Sequence, residues 1–194
     1  LAYAQFPFVN STGQQLDLLI PKKSLNQLED LLDRELKRDA ESAIEISDTG
    51  NQLCFVVGSR TLFSRKLSGT FPNYEMVLPK NLDYAAEIST EDFRESLSRV
   101  TLTSETKNHS VTMEIQPGKL LLKAGTGEAE AQEEMLAVLS GENGQNVYSL
   151  SFNSRYFQDF LQAISKAGVP TFSLGFNDEN SPFELSIPNE REGF

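Results

Sequence analysis

Few residues in this sequence have the type and spacing that chemistry needs. The only histidine, His109, opens the run NHSVTME, where an imidazole could act as a general base or a metal ligand. No nucleophile or second ligand stands at a recognisable spacing from it, so it reads as a surface or edge residue. The only cysteine, Cys54, lies in LCFVV, an alternating strand pattern that makes it a small core residue rather than a nucleophile. Gly125-Thr126-Gly127 has half the pattern of a phosphate-binding loop, but no helix and no Lys-Ser/Thr pair follows, and a turn between strands is the better reading. Glu128, Glu130, Glu133 and Glu134 supply carboxylates enough for acid–base or metal work. In an extended chain Glu128 and Glu130 share one face while Glu133 and Glu134 take opposite faces, which suits a solvated edge strand better than a site. A hydrolase built on residues 128–134 would lack a nucleophile–base pair, so the expectation is a protein that is not an enzyme and uses neither cofactor nor metal.

The elements that would position any site follow from composition and periodicity. A chain of 194 residues can bury a real core in one large domain or two smaller ones, and 39% hydrophobic with 23% charged residues is ordinary for a globular protein. No apolar run approaches a membrane span, and LAYAQFPF lacks the basic start of a signal peptide. A single cysteine excludes an internal disulfide and suits a reducing cytoplasm, the compartment expected. The net charge of −11 disfavours nucleic acid on its face, since sequence-independent affinity comes from Lys and Arg. It does not exclude one basic surface on an acidic protein.

Along the chain one pattern occurs three times. Residues 15–20 read as a strand, Ser24 as an N-cap, and Leu25, Leu28, Leu32 and Leu36 as one helical face, followed by strands at 43–47, 53–57 and 61–67. The order recurs with a strand at 84–88, a cap at Ser89 or Thr90, Phe93, Leu97 and Val100 at helical spacing, and strands at 109–115, 120–124 and 129–139. It recurs again with a strand at 147–152, Asn153 as cap, the stripe Phe157, Phe160, Leu161 and Ile164, Gly168 as stop, and strands at 172–176 and 183–187. The helix entries IPKKSLNQLEDLL, ISTEDFRESLSRV and FNSRYFQDFLQAI lie roughly 65 residues apart. One such unit cannot cover both sides of its own helix, so units should pair. The second and third make one α+β domain at 82–194, and the first, at 1–81, lacks a mate. The odd count implies a piece of a longer chain.

Between them lies LFSRKLSGTFPNYEMVLPK, residues 62–80, a strand followed by a strap between Pro72 and Pro79. Proline holds the preceding residues, Phe71 and Leu78, extended, so this reads as a rigid surface segment rather than a helix. The run Ser-Arg-Lys-Leu, Gly-x-Phe-Pro-x-Tyr, Val-Leu-Pro resembles the link between the second and third domains of bacterial sliding clamps, the beta subunits of DNA polymerase III, and SFNSRYFQDFL at 151–161 is similar to the same family. The resemblance covers nearly the whole chain. It implies the clamp fold, repeated strand–helix–strand half-domains with helices on one face of antiparallel sheets. Residues 1–81 would be the second half of a middle domain plus the strap. Residues 82–194 would be the C-terminal domain without its last strand, which in the family carries a Met-Pro-Met-like tail.

The implied function is a processivity factor that encircles duplex DNA as a head-to-tail homodimer and tethers the replicative polymerase, the clamp loader and repair polymerases through their linear peptide motifs. The implied peptide pocket comprises Leu1, Pro72, Met76, Val77, Asn153, Tyr156 and Pro182, with Met76 standing where some relatives have a basic residue. The DNA-facing set is Lys22, Lys23, Arg34, Lys37, Arg38, Arg94, Arg99, Lys107, Arg155 and Lys166, making phosphate contacts without a base code. The implied dimer surface is Thr101, Leu102, Glu128, Glu130, Glu133 and Glu134. The alternative is a protein-interaction scaffold of the same fold with no DNA role.

Overall fold

The structure, a computed structural model, describes residues 2–6, 13, 15–102, 109–125, 129–141 and 147–187. The chain divides into two compact units, Leu1–Met76 and Val77–Phe194, and the division falls inside the strap.

Unit 1 holds α1 (Lys22–Leu36), β1 (Ile44–Asp48), β2 (Gln52–Val57) and β3 (Arg60–Arg65), the strands forming one antiparallel sheet in that order. The helix begins three residues earlier than Ser24 as its N-cap suggests. Pro21 is the N-cap, extended at φ −60° and ψ 138°, and its carbonyl accepts from the amides of Ser24 and Leu25. Ser24 is instead inside the helix, where its hydroxyl accepts from that of the buried Ser64 at 2.8 Å. Residues 15–20 are not a strand: a ladder needs a run of partners, and among the described residues Leu19 accepts a single amide, that of Leu67, at 3.0 Å.

Leu53, Phe55 and Val57 on alternate positions of β2 are buried, whereas Cys54 points to the opposite face, across from Ser47 and Phe63, and is only half-buried. The cysteine is therefore not a core residue. On α1 the leucine stripe is covered only in part, with Leu28 and Leu32 half-buried but Leu25 45% and Leu36 47% exposed. The buried residue of this helix is Glu35, whose carboxylate lies over Gly58 in the β2–β3 turn. Gly58 sits at φ 57°, and a Cβ there would run into the Glu35 carboxylate, so this position needs glycine twice over.

Unit 2 runs β4 (Tyr84–Ser89), α2 (Thr90–Thr101), β5 (Ser110–Gln116), β6 (Lys119–Gly125), β7 (Glu130–Leu136), β8 (Val138–Ser140), β9 (Tyr148–Asn153), α3 (Ser154–Lys166), β10 (Thr171–Phe176) and β11 (Glu184–Ser186). Its sheets are ordered β11-β10-β4-β8 and β7-β6-β5-β9, so each joins strands of both sequence repeats side by side. The single strand expected at 129–139 is two strands in different sheets, because β7 pairs with β6 while β8 pairs with β4, and the chain changes sheet at the buried Ala137.

The caps explain why both helices start where they do. Ser89 accepts the Asp92 amide at 3.3 Å, and Asn153 Oδ1 accepts the Arg155 amide at 3.0 Å. Gly168, at φ 72°, ends α3 with its own amide on Ser165 and the Val169 amide on Ile164, a Schellman arrangement. Phe93, Leu97 and Val100 of α2 and Phe157, Leu161 and Ile164 of α3 enter one core with both sheets, and Phe93 stacks on Phe157 with centroids 5.1 Å apart. No helix among the described residues is long and apolar enough to cross a membrane.

Candidate functional site

In unit 1 the strap is less extended than its prolines imply, because Tyr74–Met76 forms a turn of 3₁₀ helix. Proline restricts only the residues at and before it, and Tyr74–Met76 lies clear of both. Tyr74 is held there by rings on two sides, stacked on Tyr3 at 5.4 Å and meeting Phe71 edge-on at 6.2 Å. That packing leaves the expected pocket residues Pro72 and Met76 outward, Met76 at 81% exposure. Leu1 lies outside the described residues.

In unit 2, Val77 and Tyr156 are exposed large apolar side chains, Tyr156 at 76%. Asn153 and Tyr156 stand one turn apart at the start of α3, where Asn153 already serves as the cap. Pro182 borders a cavity of about 390 Å³ that is also lined by Leu150, Ser151, Glu179, Asn180, Ser181 and Phe183 but not by Asn153 or Tyr156. The loop residues of this cavity were not expected from the sequence, which offers there only a turn. Asp178 organises the loop by accepting the amides of Asn180 and Ser181 and the Ser181 hydroxyl, each at 2.8 Å. That hydroxyl and those amides hold its carboxyl below the usual aspartate range. Glu179 in turn accepts the Ser149 amide on the outer edge of β9 at 3.2 Å.

The cations fall into two classes. Arg38 pairs with Glu35 at 3.3 Å, Arg94 with Glu91 at 2.5 Å, and Arg99 with Glu95 at 3.5 Å and Glu133 at 3.0 Å. The Glu91 hydrogen bond raises Arg94 above its ordinary pKa, and that of Glu133 chiefly raises Arg99. Within the described residues Lys22, Lys23, Arg34, Lys37 and Arg155 are exposed and form no ion pair. Four of those five belong to α1 or its C-cap. Lys166 is engaged elsewhere, and Lys107 lies outside the described residues.

The acidic strand is where alternation puts it. β7 is an edge of its sheet, with Glu130 and Glu134 exposed on one face and Glu133 turned toward α2. Glu134 pairs with Lys119 at 3.1 Å. Leu102, the C-cap of α2, is 86% exposed, and Thr101 bonds back to the Ser98 carbonyl at 3.0 Å. Glu128 lies outside the described residues. No group of three or more His, Cys, Asp or Glu among the described residues could hold a metal. His109 is half-buried at φ 48°, and its carbonyl accepts the Ser154 amide at 2.8 Å, a structural use of its backbone.

Residues 75–192 match the family described as DNA polymerase III beta subunit, C-terminal domain. The chain is 30% identical over 166 residues to a beta sliding clamp of Synechocystis sp., covering 84% of this chain and 40% of that protein. It is 27% identical over 183 residues to one of Lactococcus lactis, covering 93% and 46%. The chain thus spans less than half the length of these curated relatives. Among solved structures, the DNA polymerase III subunit beta from Pseudomonas aeruginosa aligns at a TM-score of 0.77 with 24% identity, over 89% of this chain and 44% of that one, which speaks to the fold.

Proposed function

The chain belongs to the DNA polymerase III beta subunit family, the bacterial sliding clamps, and from that premise we propose that its protein is a non-enzymatic processivity factor of the cytoplasm. The observation that carries this reading is the family match over residues 75–192, which begins inside the strap and takes in the two-repeat domain. In the proposed assembly, residues 1–81 are the second half of a middle domain with its strap and 82–194 belong to the C-terminal domain. Two whole chains close head to tail around duplex DNA, with Thr101, Leu102, Glu128, Glu130, Glu133 and Glu134 on one side of the junction. The ring is held on DNA by topology, so weak, salt-sensitive contacts suffice. The unpaired cations Lys22, Lys23, Arg34, Lys37 and Arg155 are the best-supported members of the DNA-facing set.

Leu1, Pro72, Met76, Val77, Asn153, Tyr156 and Pro182 are proposed to take the linear motifs of the polymerase, the loader and repair polymerases. What supports this is the exposure of Met76, Val77 and Tyr156, apolar side chains that gain from a cover. The test is a fluorescence-polarisation titration of a labelled Gln-Leu-x-Leu-Phe peptide. Saturable binding near micromolar, about −8 kcal/mol, weakened tenfold or more in Tyr156→Ala and Pro72→Ala, is the expected result. Binding that neither substitution changes would remove the pocket assignment.

A further inference from the structure

The strap does not simply run into β4; it is fastened before it arrives. Asn177, just past the end of β10, accepts the Asp83 amide on its Oδ1 at 2.7 Å and donates from Nδ2 to the Asn81 carbonyl at 3.0 Å. One side-chain amide thus satisfies two backbone groups of the strap's exit from 94 and 96 positions away in sequence. Between those two anchor points Leu82 is half-buried, and its Cδ1 lies 2.5 Å from where a Cβ on the buried Gly175 would stand. Asn81 itself takes φ 64°, a left-handed turn that asparagine tolerates better than most residues. Gly175 lies near the end of β10 and Asn177 just past it, and both meet the strap's exit at Asn81–Asp83.

We propose that Asn177, with the Leu82 seat on Gly175, is a positioning latch that fixes the strap at Asn81–Asp83 and thereby sets where Val77 stands for peptide binding. The last part rests on the proposed function; the latch itself does not. Between Val77 and the latch, Pro79 stiffens the connection and Leu78 is half-buried, so little slack remains to absorb a loosened anchor. No local pattern marks Asn177 as anything but a turn residue, since its partners are far off in the chain.

The test uses the 194-residue chain and two variants that reach the latch by different routes. Asn177→Leu keeps the shape and removes both hydrogen bonds; Gly175→Ala leaves Asn177 in place and drives Leu82 off its seat. Amide hydrogen exchange read by mass spectrometry should rise tenfold or more in both at the Asp83 amide, the one within 78–83 that has a described acceptor, while β4 and β10 keep their protection. The labelled peptide should bind each variant at least fivefold more weakly than the parent. Unchanged exchange at Asp83 overturns the latch, as does a rise spread evenly through the core strands, which would mean ordinary destabilisation. A loosened strap with undiminished peptide affinity overturns its role in positioning Val77. Should the parent chain bind no peptide, the proposed pocket falls, and exchange at Asp83 alone decides the latch.

Discussion

The guanidinium of Arg99 on α2 donates to the carboxylate of Glu133 on β7 at 3.0 Å, joining a residue expected to face DNA to one expected at the dimer edge. The same guanidinium also reaches Glu95 and the Ser96 hydroxyl. An arginine so engaged is poorly placed to neutralise a phosphate, and a glutamate so engaged presents less charge to a neighbouring chain.

Glu133→Gln should therefore change stability little, because both side chains remain partly in water. In the whole-length protein it should free Arg99 for phosphate and steepen the plot of log affinity against log salt by up to about one unit. Measuring DNA affinity across a salt series checks this; an unchanged slope would mean that Arg99 faces away from the duplex.

The unpaired cations of α1 should behave in the opposite way. Replacing Lys22, Lys23, Arg34 and Lys37 together by Gln should flatten the salt slope by roughly 0.9 for each phosphate that is no longer neutralised. Arg94→Gln, whose charge is already met by Glu91, should leave the slope almost untouched. Equal effects from the two sets would contradict the division into engaged and free cations.

Burial separates the leucines of the helices. Leu97 is fully buried between α2, α3 and both sheets, so Leu97→Ala should cost about 2–5 kcal/mol in urea unfolding of unit 2. Leu25 and Leu36 on α1 are nearly half exposed, and Leu25→Ala should cost well under about 1.5 kcal/mol, since little apolar area leaves the interior. A large effect at Leu25 would mean that its face is covered in solution.

Acid should weaken the fold through identifiable carboxylates. Asp48 is held below its ordinary value of 3.8 chiefly by Lys66, Glu91 below 4.5 by Arg94, and Asp178 below 3.8 by the Ser181 hydroxyl. A depressed folded pKa means that the unfolded chain takes up protons first. The contribution of each group is therefore present above its ordinary value and is lost as pH falls through the lowered one. Urea midpoints between about pH 6 and pH 3 should drop, and Asp178→Asn should shallow that drop in unit 2; an identical acid profile would remove Asp178 from the account.

Much of this protein was legible locally. The helices at residues 90–101 and 154–166, their caps at Ser89 and Asn153, the stop at Gly168 and the acidic edge strand follow from periodicity and side-chain chemistry within a turn or two, and the structure places them there. The strap was legible as a motif, but its 3₁₀ turn was not, because ring packing from Tyr3 and Phe71 decides Tyr74. The strand expected at 15–20 failed for a related reason: alternation marks a residue run that could pair, while a partner strand must be present for it to do so.

Only tertiary structure could split residues 129–139 between two sheets, since nothing around Ala137 encodes which sheet lies on either side of it. It alone turned Cys54 away from the core, coupled Arg99 to Glu133, and gave Asn177 its hold on the strap. Sequence sets what each segment can do, through φ/ψ preference, capping and the two periods of apolar residues. Which distant group meets it is decided when the whole chain closes, and bonds that join residues 94 and 96 positions apart leave no trace in any local window.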